Sequence, residues 1–188
     1  MGEQRERLDR GVWYLDDPEL ADLRRRCWRM LDRFNGAGAD DDESRAQVLQ
    51  EMLAQVGERV VVMPRFQCSY GHNIRLGDGV FVNVNAFFMD DAPITIGSDS
   101  RIGPGAQLMT ALHPIEDHQK RRDGWERAAP IALGENVWLG AAVTVGPGVC
   151  IGDNTVVGAG SVVLHDIPDH AVAVGSPARV VRRTFGER

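Results

Sequence analysis

Several shortages in this 188-residue chain each exclude a class of protein. Cysteine occurs only at Cys27, Cys68 and Cys150, an odd number without metal-like spacing, which sets aside a disulfide framework or zinc knuckle. No apolar run reaches the roughly 18 residues of a membrane span, and MGEQRERLDR lacks a charged-then-apolar leader. A cytoplasmic chain with no membrane partner is therefore expected. Basic residues are outnumbered, 21 Lys plus Arg against 27 Asp plus Glu, which argues against nonspecific nucleic-acid binding.

What the chain has in quantity is a six-residue rhythm. Aliphatic or aromatic residues open twelve hexads: Leu76, Val82 and Phe88, then Ile96, Ile102 and Leu108, then every sixth residue from Leu133 to Val163. Glycine follows the opener in eight of the twelve. A hexad is too short to bury a face alone, so the openers must stack on equivalents in neighbouring coils, as in a β-helix. Glycine beside the opener suits a bend that needs positive φ or close backbone approach.

The rhythm breaks twice. Two extra residues separate Phe88 from Ile96, and 19 separate Leu108 from Leu133, in a polar insertion containing HPIEDHQKRRDGWERAAP. Loops of that length in compact proteins are usually functional.

Before the repeats, Asp17, Pro18 and Glu19 read as a helix start, with a cap, an early proline and an acid at the positive end of the dipole. Leu20, Leu23, Cys27, Leu31 and Phe34 form its stripe, and Asn35-Gly36 its stop. A second helix is expected from about Asp42 to Val56, and β texture from Val60. Arg24, Arg25 and Arg26 read as solvated helix positions. The expected organisation is a helical region at 1–57, a solenoid at 58–168 with a loop at 113–130, and a capping segment at 169–188.

The order YLDDPEL, CSYGHNI, FVNVNAFFMDD, TALHPI, NVWLGAAVTVGPGVCIGDNTVVGAGSVV and GSPARVV resembles the maltose and galactoside O-acetyltransferases, a branch of the hexapeptide-repeat acyltransferases. The resemblance implies a mainly β fold, a left-handed parallel β-helix, despite the usual right-handed crossover preference. It also implies a homotrimer with active sites between subunits, and acetyl-CoA as donor to a hydroxyl acceptor, with no metal.

A sugar hydroxyl is a poor nucleophile near neutrality, so attack on a thioester needs a base. His113 closes a hexad at the mouth of the insertion, where position alone would make it a strand-end cap; it matches the family's catalytic histidine. Asn83 takes the second position of a hexad and matches a residue that fixes the acceptor hydroxyl and steadies transition-state charge. An asparagine ladder would suit Asn85 better. Asp91, Ser69 and Asp16 match acceptor-binding positions, although Asp90-Asp91 also reads as a turn and Asp17 competes with Asp16. Trp125 in the loop is placed to stack on a sugar or on a neighbouring subunit.

For the coenzyme, the resemblance assigns the backbone N–H of Ala141 to the oxyanion, Ala159 to the pantetheine arm, and Arg179 and Arg182 to phosphates. Leu164 and His165 stand where relatives usually carry Thr-Lys, so one coenzyme-binding charge is missing. Two alternatives share the fold. One is a zinc lyase of the trimeric carbonic-anhydrase type, for which His113 and His118 have suitable spacing but Gly77 stands at the third ligand's place. The other is an antibiotic O-acetyltransferase. A silent scaffold would not need His113, Asn83 and the arginines together, and a covalent route through Cys68 lacks an evident base.

Overall fold

The computed structural model describes residues 2–184. From Gln55 to Val163 the chain winds as a solenoid of two- to four-residue strands which, outside the hairpin of the long insertion, are hydrogen-bonded to the coils above and below rather than to their sequence neighbours. The strands form three walls of five, seven and five members, called here the first, second and third walls in chain order. The openers make one column inside each wall. Val56, Leu76, Ile96, Leu133 and Ile151 line the first. Val62, Val82, Ile102, Leu139, Val157 and Ala173 line the second, and Cys68, Phe88, Leu108, Val145 and Val163 the third. All twelve expected openers are at most 2% exposed. At roughly 1.5–3 kcal/mol for each large apolar side chain removed from water, these columns supply most of the driving force for the solenoid.

The end of the second helix and the start of the solenoid need correction. Helix α3 runs Asp42–Met52 and stops there, because Leu53 turns to extended backbone. Gln55–Val56 is instead the first strand of the solenoid, paired in parallel with Arg75–Leu76. An extra coil with openers Val56, Val62 and Cys68 thus precedes the first expected hexad. The glycines beside the openers have ordinary φ, while left-handed backbone falls two residues later, at Asn85, Gly105, Ala142 and Gly160 along one edge. Close approach of coils, not conformational freedom, requires those glycines.

Helix α1 (Glu3–Asp9) was not expected; α2 (Pro18–Gly36) starts as read, with the Asp17 carboxylate accepting from Leu20 N–H at 2.9 Å. Leu31, Phe34, Val48, Leu49 and Met52 of α2 and α3 cover the open first coil and join the solenoid core in one continuous cluster. Phe34 meets Phe66 edge-on, and Phe66 meets Phe88 likewise. At the other end Ala171–Gly175 stacks on Val156–Val157, and Ala178–Arg183 folds back on it antiparallel, which ends the run of parallel pairing.

Candidate active site

Departures from the hexad recur on consecutive coils at one edge, between the third wall and the first. Extra residues follow Cys68 and Phe88, and the long insertion follows Leu108. They carry Ser69, Asp90, Asp91 and His113 to that edge. Asp90 is fully buried, and its carboxylate accepts from the Ser69 and Tyr70 N–H groups at 2.9 and 2.8 Å, which pins the preceding coil's turn. Burial, opposed by these donors, leaves its carboxyl pushed up to about 7. The pinned turn brings Ser69 Oγ within 3.4 Å of Asp91 Oδ2, while Tyr14 Oη lies 3.3 Å from Asp91 Oδ1. Burial, then the nearby Glu126 carboxylate, raises the Asp91 carboxyl above its ordinary range.

The insertion is a small hairpin. Ala111–Leu112 pairs antiparallel with Arg127–Ala128, and the short helix α4 (His118–Arg122) closes the tip. His113 is exposed, with Nδ1 3.1 Å from the carbonyl oxygen of Trp125. A carbonyl only accepts, so Nδ1 carries the proton of the neutral ring and the Nε2 lone pair is left for a substrate proton. The ring lines a cavity of about 450 Å³ with Trp13, Lys120 and Arg127.

Asn83, Ala141 and Ala159 lie on a different edge, between the second and third walls, and line one groove of about 470 Å³. The Asn83 side-chain oxygen accepts from Val84 N–H at 2.8 Å, which leaves its Nδ2 as the outward donor. The backbone N–H groups of Ala141 and Ala159 donate to no other described residue. This edge therefore presents hydrogen-bond donors, and the His113 edge presents a base and carboxylates. The two halves share no lining residue within one chain.

Comparison with known proteins gives the family. Residues 7–57 match the maltose acetyltransferase hexapeptide capping motif, and residues 130–165 match the bacterial transferase hexapeptide (six repeats). The chain is 40% identical over 178 residues to the galactoside O-acetyltransferase of Escherichia coli, covering 94% of this chain and 87% of that protein. It superposes on a maltose O-acetyltransferase from Clostridium difficile with TM-score 0.95 and 39% identity, covering 97% of each chain. A galactoside acetyltransferase in complex with coenzyme A aligns with TM-score 0.93 and 38% identity, over 98% of this chain and 92% of that one. The chain belongs to the maltose and galactoside O-acetyltransferase family. It is an acyltransferase, and its solenoid is the left-handed parallel β-helix of the hexapeptide-repeat enzymes.

In this acetyltransferase the remaining expected positions are scattered. Arg179 and Arg182 are exposed on the C-terminal strand, opposite Val174 and Val172. Leu164 and His165 are exposed on the edge between the third and first walls, away from the groove of Ala141 and Ala159. Asp16 pairs with Arg24 at 2.5 Å, so Arg24 is not the plain solvated position expected; its other Nη donates to Tyr70 Oη at 2.8 Å. Asp17 is the helix cap. The Trp125 ring, expected to stack on a sugar or on a neighbouring subunit, has Lys120 and Arg7 over it within the chain, with cation-to-centroid distances of 5.1 and 5.9 Å. Cys68 is buried 3.4 Å from the Cys27 sulfur; that contact and burial push its thiol up, the reverse of what a nucleophile needs.

Sequence reasoning missed Tyr14, Arg24 and Glu126. Tyr14 is 1% exposed and bridges Glu126 across 112 residues of sequence. The legible signal was an aromatic next to the YLDDPEL acids; its partner lay in a loop with no periodicity to place it.

Proposed function

We propose that this enzyme transfers the acetyl group of acetyl-CoA directly to a hydroxyl of a sugar or sugar-like acceptor, with His113 as general base. The observation that carries the reading is the anchored Nδ1 of His113, which leaves the Nε2 lone pair free at the wall of a cavity, on the same edge of the solenoid as the Ser69–Asp91 pair. The hydroxyl proton passes to Nε2 as oxygen attacks the thioester carbon; as the tetrahedral intermediate collapses the C–S bond breaks and Nε2 returns that proton to the departing thiolate. Ala141 N–H and the Asn83 amide hold the oxyanion and acceptor. The coenzyme complex of a relative 38% identical supports acetyl-CoA as donor, and exposed Arg179 and Arg182 supply charge for its phosphates. Asp91, Ser69 and Asp16 face the acceptor.

The site is assembled across subunits of a homotrimer, with the His113 edge of one chain against the Asn83 edge of the next. Separation of these edges within a single chain supports that arrangement. The zinc lyase remains the alternative; within one chain, no group of three or more His, Cys, Asp or Glu side chains among the described residues is arranged to hold a metal. A panel of sugars and antibiotics, each mixed with acetyl-CoA and followed by free-thiol release, tests the reading. Acetylation of at least one hydroxyl acceptor is expected. Zinc-dependent lyase turnover without thiol release would replace it.

A further inference from the structure

The N-terminal segment is tied to the histidine loop more tightly than a cap requires. Tyr14 is joined to Glu126 by a two-way backbone bridge, with Tyr14 N–H donating to Glu126 O and Glu126 N–H donating to Tyr14 O, both at 2.9 Å. The same pair is tied by side chains, since Tyr14 Oη donates to Glu126 Oε2 at 2.8 Å. Helix α1 brackets Tyr14 on both sides. Arg7 Nη1 donates to Trp13 O at 3.2 Å, and Leu15 N–H donates to Gln4 Oε1 at 2.8 Å.

The consequence lies in one peptide plane. The N–H of Glu126 and the C=O of Trp125 belong to the same rigid amide, and that carbonyl is the partner of His113 Nδ1 at 3.1 Å. A continuous chain therefore runs from the Tyr14 carbonyl, through the 125–126 amide, to the imidazole. Each bond polarises the next, and the amide cannot rotate away from His113 without breaking its bond to Tyr14.

We propose that Tyr14 is a positioning residue for the catalytic base, and that Glu126 is its side-chain anchor. Together they clamp the amide plane that fixes the proton on Nδ1 and turns Nε2 to the acceptor. In this role the N-terminal region is part of the catalytic apparatus as well as a cover for the first coil. The inference rests on His113 being the base.

Tyr14→Phe removes the hydroxyl tie and keeps the ring and the backbone bridge. It is expected to lower kcat on the order of tenfold, as loss of a partner that orients a working histidine does, with the Michaelis constant for acetyl-CoA unchanged. Glu126→Ala gives the same loss, and Glu126→Gln, whose amide oxygen still accepts from Tyr14, recovers most of it. In a His113→Ala background Tyr14→Phe costs nothing further. A tenfold loss of the residual rate in that background overturns the proposal, as does a rise in the acceptor constant with kcat intact, which would place Tyr14 in acceptor binding through Asp91. If Tyr14→Phe fails to fold, the Glu126 pair carries the same comparison. Wild-type turnover by His113→Ala alone would instead sink the base assignment, a separate outcome.

Discussion

A Cβ placed on Gly140 would stand 2.6 Å from the backbone nitrogen of Ala159 in the coil above. Adjacent coils thus touch backbone to backbone at the edge where the groove of Asn83, Ala141 and Ala159 lies. Gly140→Val should force the two coils apart, and overpacking of this kind costs about 1–3 kcal/mol. Urea denaturation should show a lowered midpoint with an unchanged slope. A variant as stable as the parent would mean that the edge yields freely.

Because His113 and Asn83 occupy different edges of one chain, a site made from both needs two chains. His113→Ala should lower kcat on the order of 100-fold, the typical contribution of a general base, and Asn83→Ala should also impair turnover. Refolding the two inactive variants together should restore activity, since some interfaces then join an intact His113 edge to an intact Asn83 edge. No recovery in the mixed assemblies would place both residues in a site within one subunit.

Asp90 predicts a pH dependence of stability. Its carboxyl is pushed up to about 7 in the folded protein by burial, against about 4 for an unfolded chain. Between those values the folded state binds the extra proton, so the contribution present at low pH is lost as pH rises through about 7. Asp90→Asn can keep the acceptor to Ser69 and Tyr70 while removing the ionisation. Denaturation midpoints measured from pH 4.5 to 8 should show a shallower fall with pH in the variant, and equal slopes would refute the assignment to Asp90.

Coenzyme affinity should depend on the C-terminal strand. Arg179 has only its neighbour's carbonyl as a side-chain partner among the described residues, so its fork is available to a phosphate. Arg179→Ala is expected to raise the Michaelis constant for acetyl-CoA about tenfold with little change in kcat, the loss of one charge-assisted contact. Replacing Leu164 and His165 by the family Thr-Lys pair should lower the same constant. Steady-state kinetics at saturating acceptor checks both, and an unaltered constant in each variant would remove these positions from the coenzyme site.

The solenoid was legible because its information is local. Leu76, Val82 and their successors recur at a fixed spacing, and each needs only its equivalents in adjacent coils to be buried. The extra coil of Val56, Val62 and Cys68 has the same spacing, but only Gly57 marks an opener there, and Val56 directly continues a helical stripe. The Asp17 cap was readable for a similar reason, since cap and donor are three residues apart.

The site divides along the same line. By itself the sequence determined the repeat, the interruptions that carry Ser69, Asp90, Asp91 and His113, and through its motifs the family. Only tertiary structure decided that these interruptions share one edge, that Arg24 belongs with Asp16, that cations cover Trp125, and that Tyr14 grips the amide beside His113. Those contacts join segments up to 112 residues apart through a few hydrogen bonds and stacked charges. Such contacts leave no period in the sequence, because a bond between two side chains constrains where the chain closes in space and not how its residues are spaced along it.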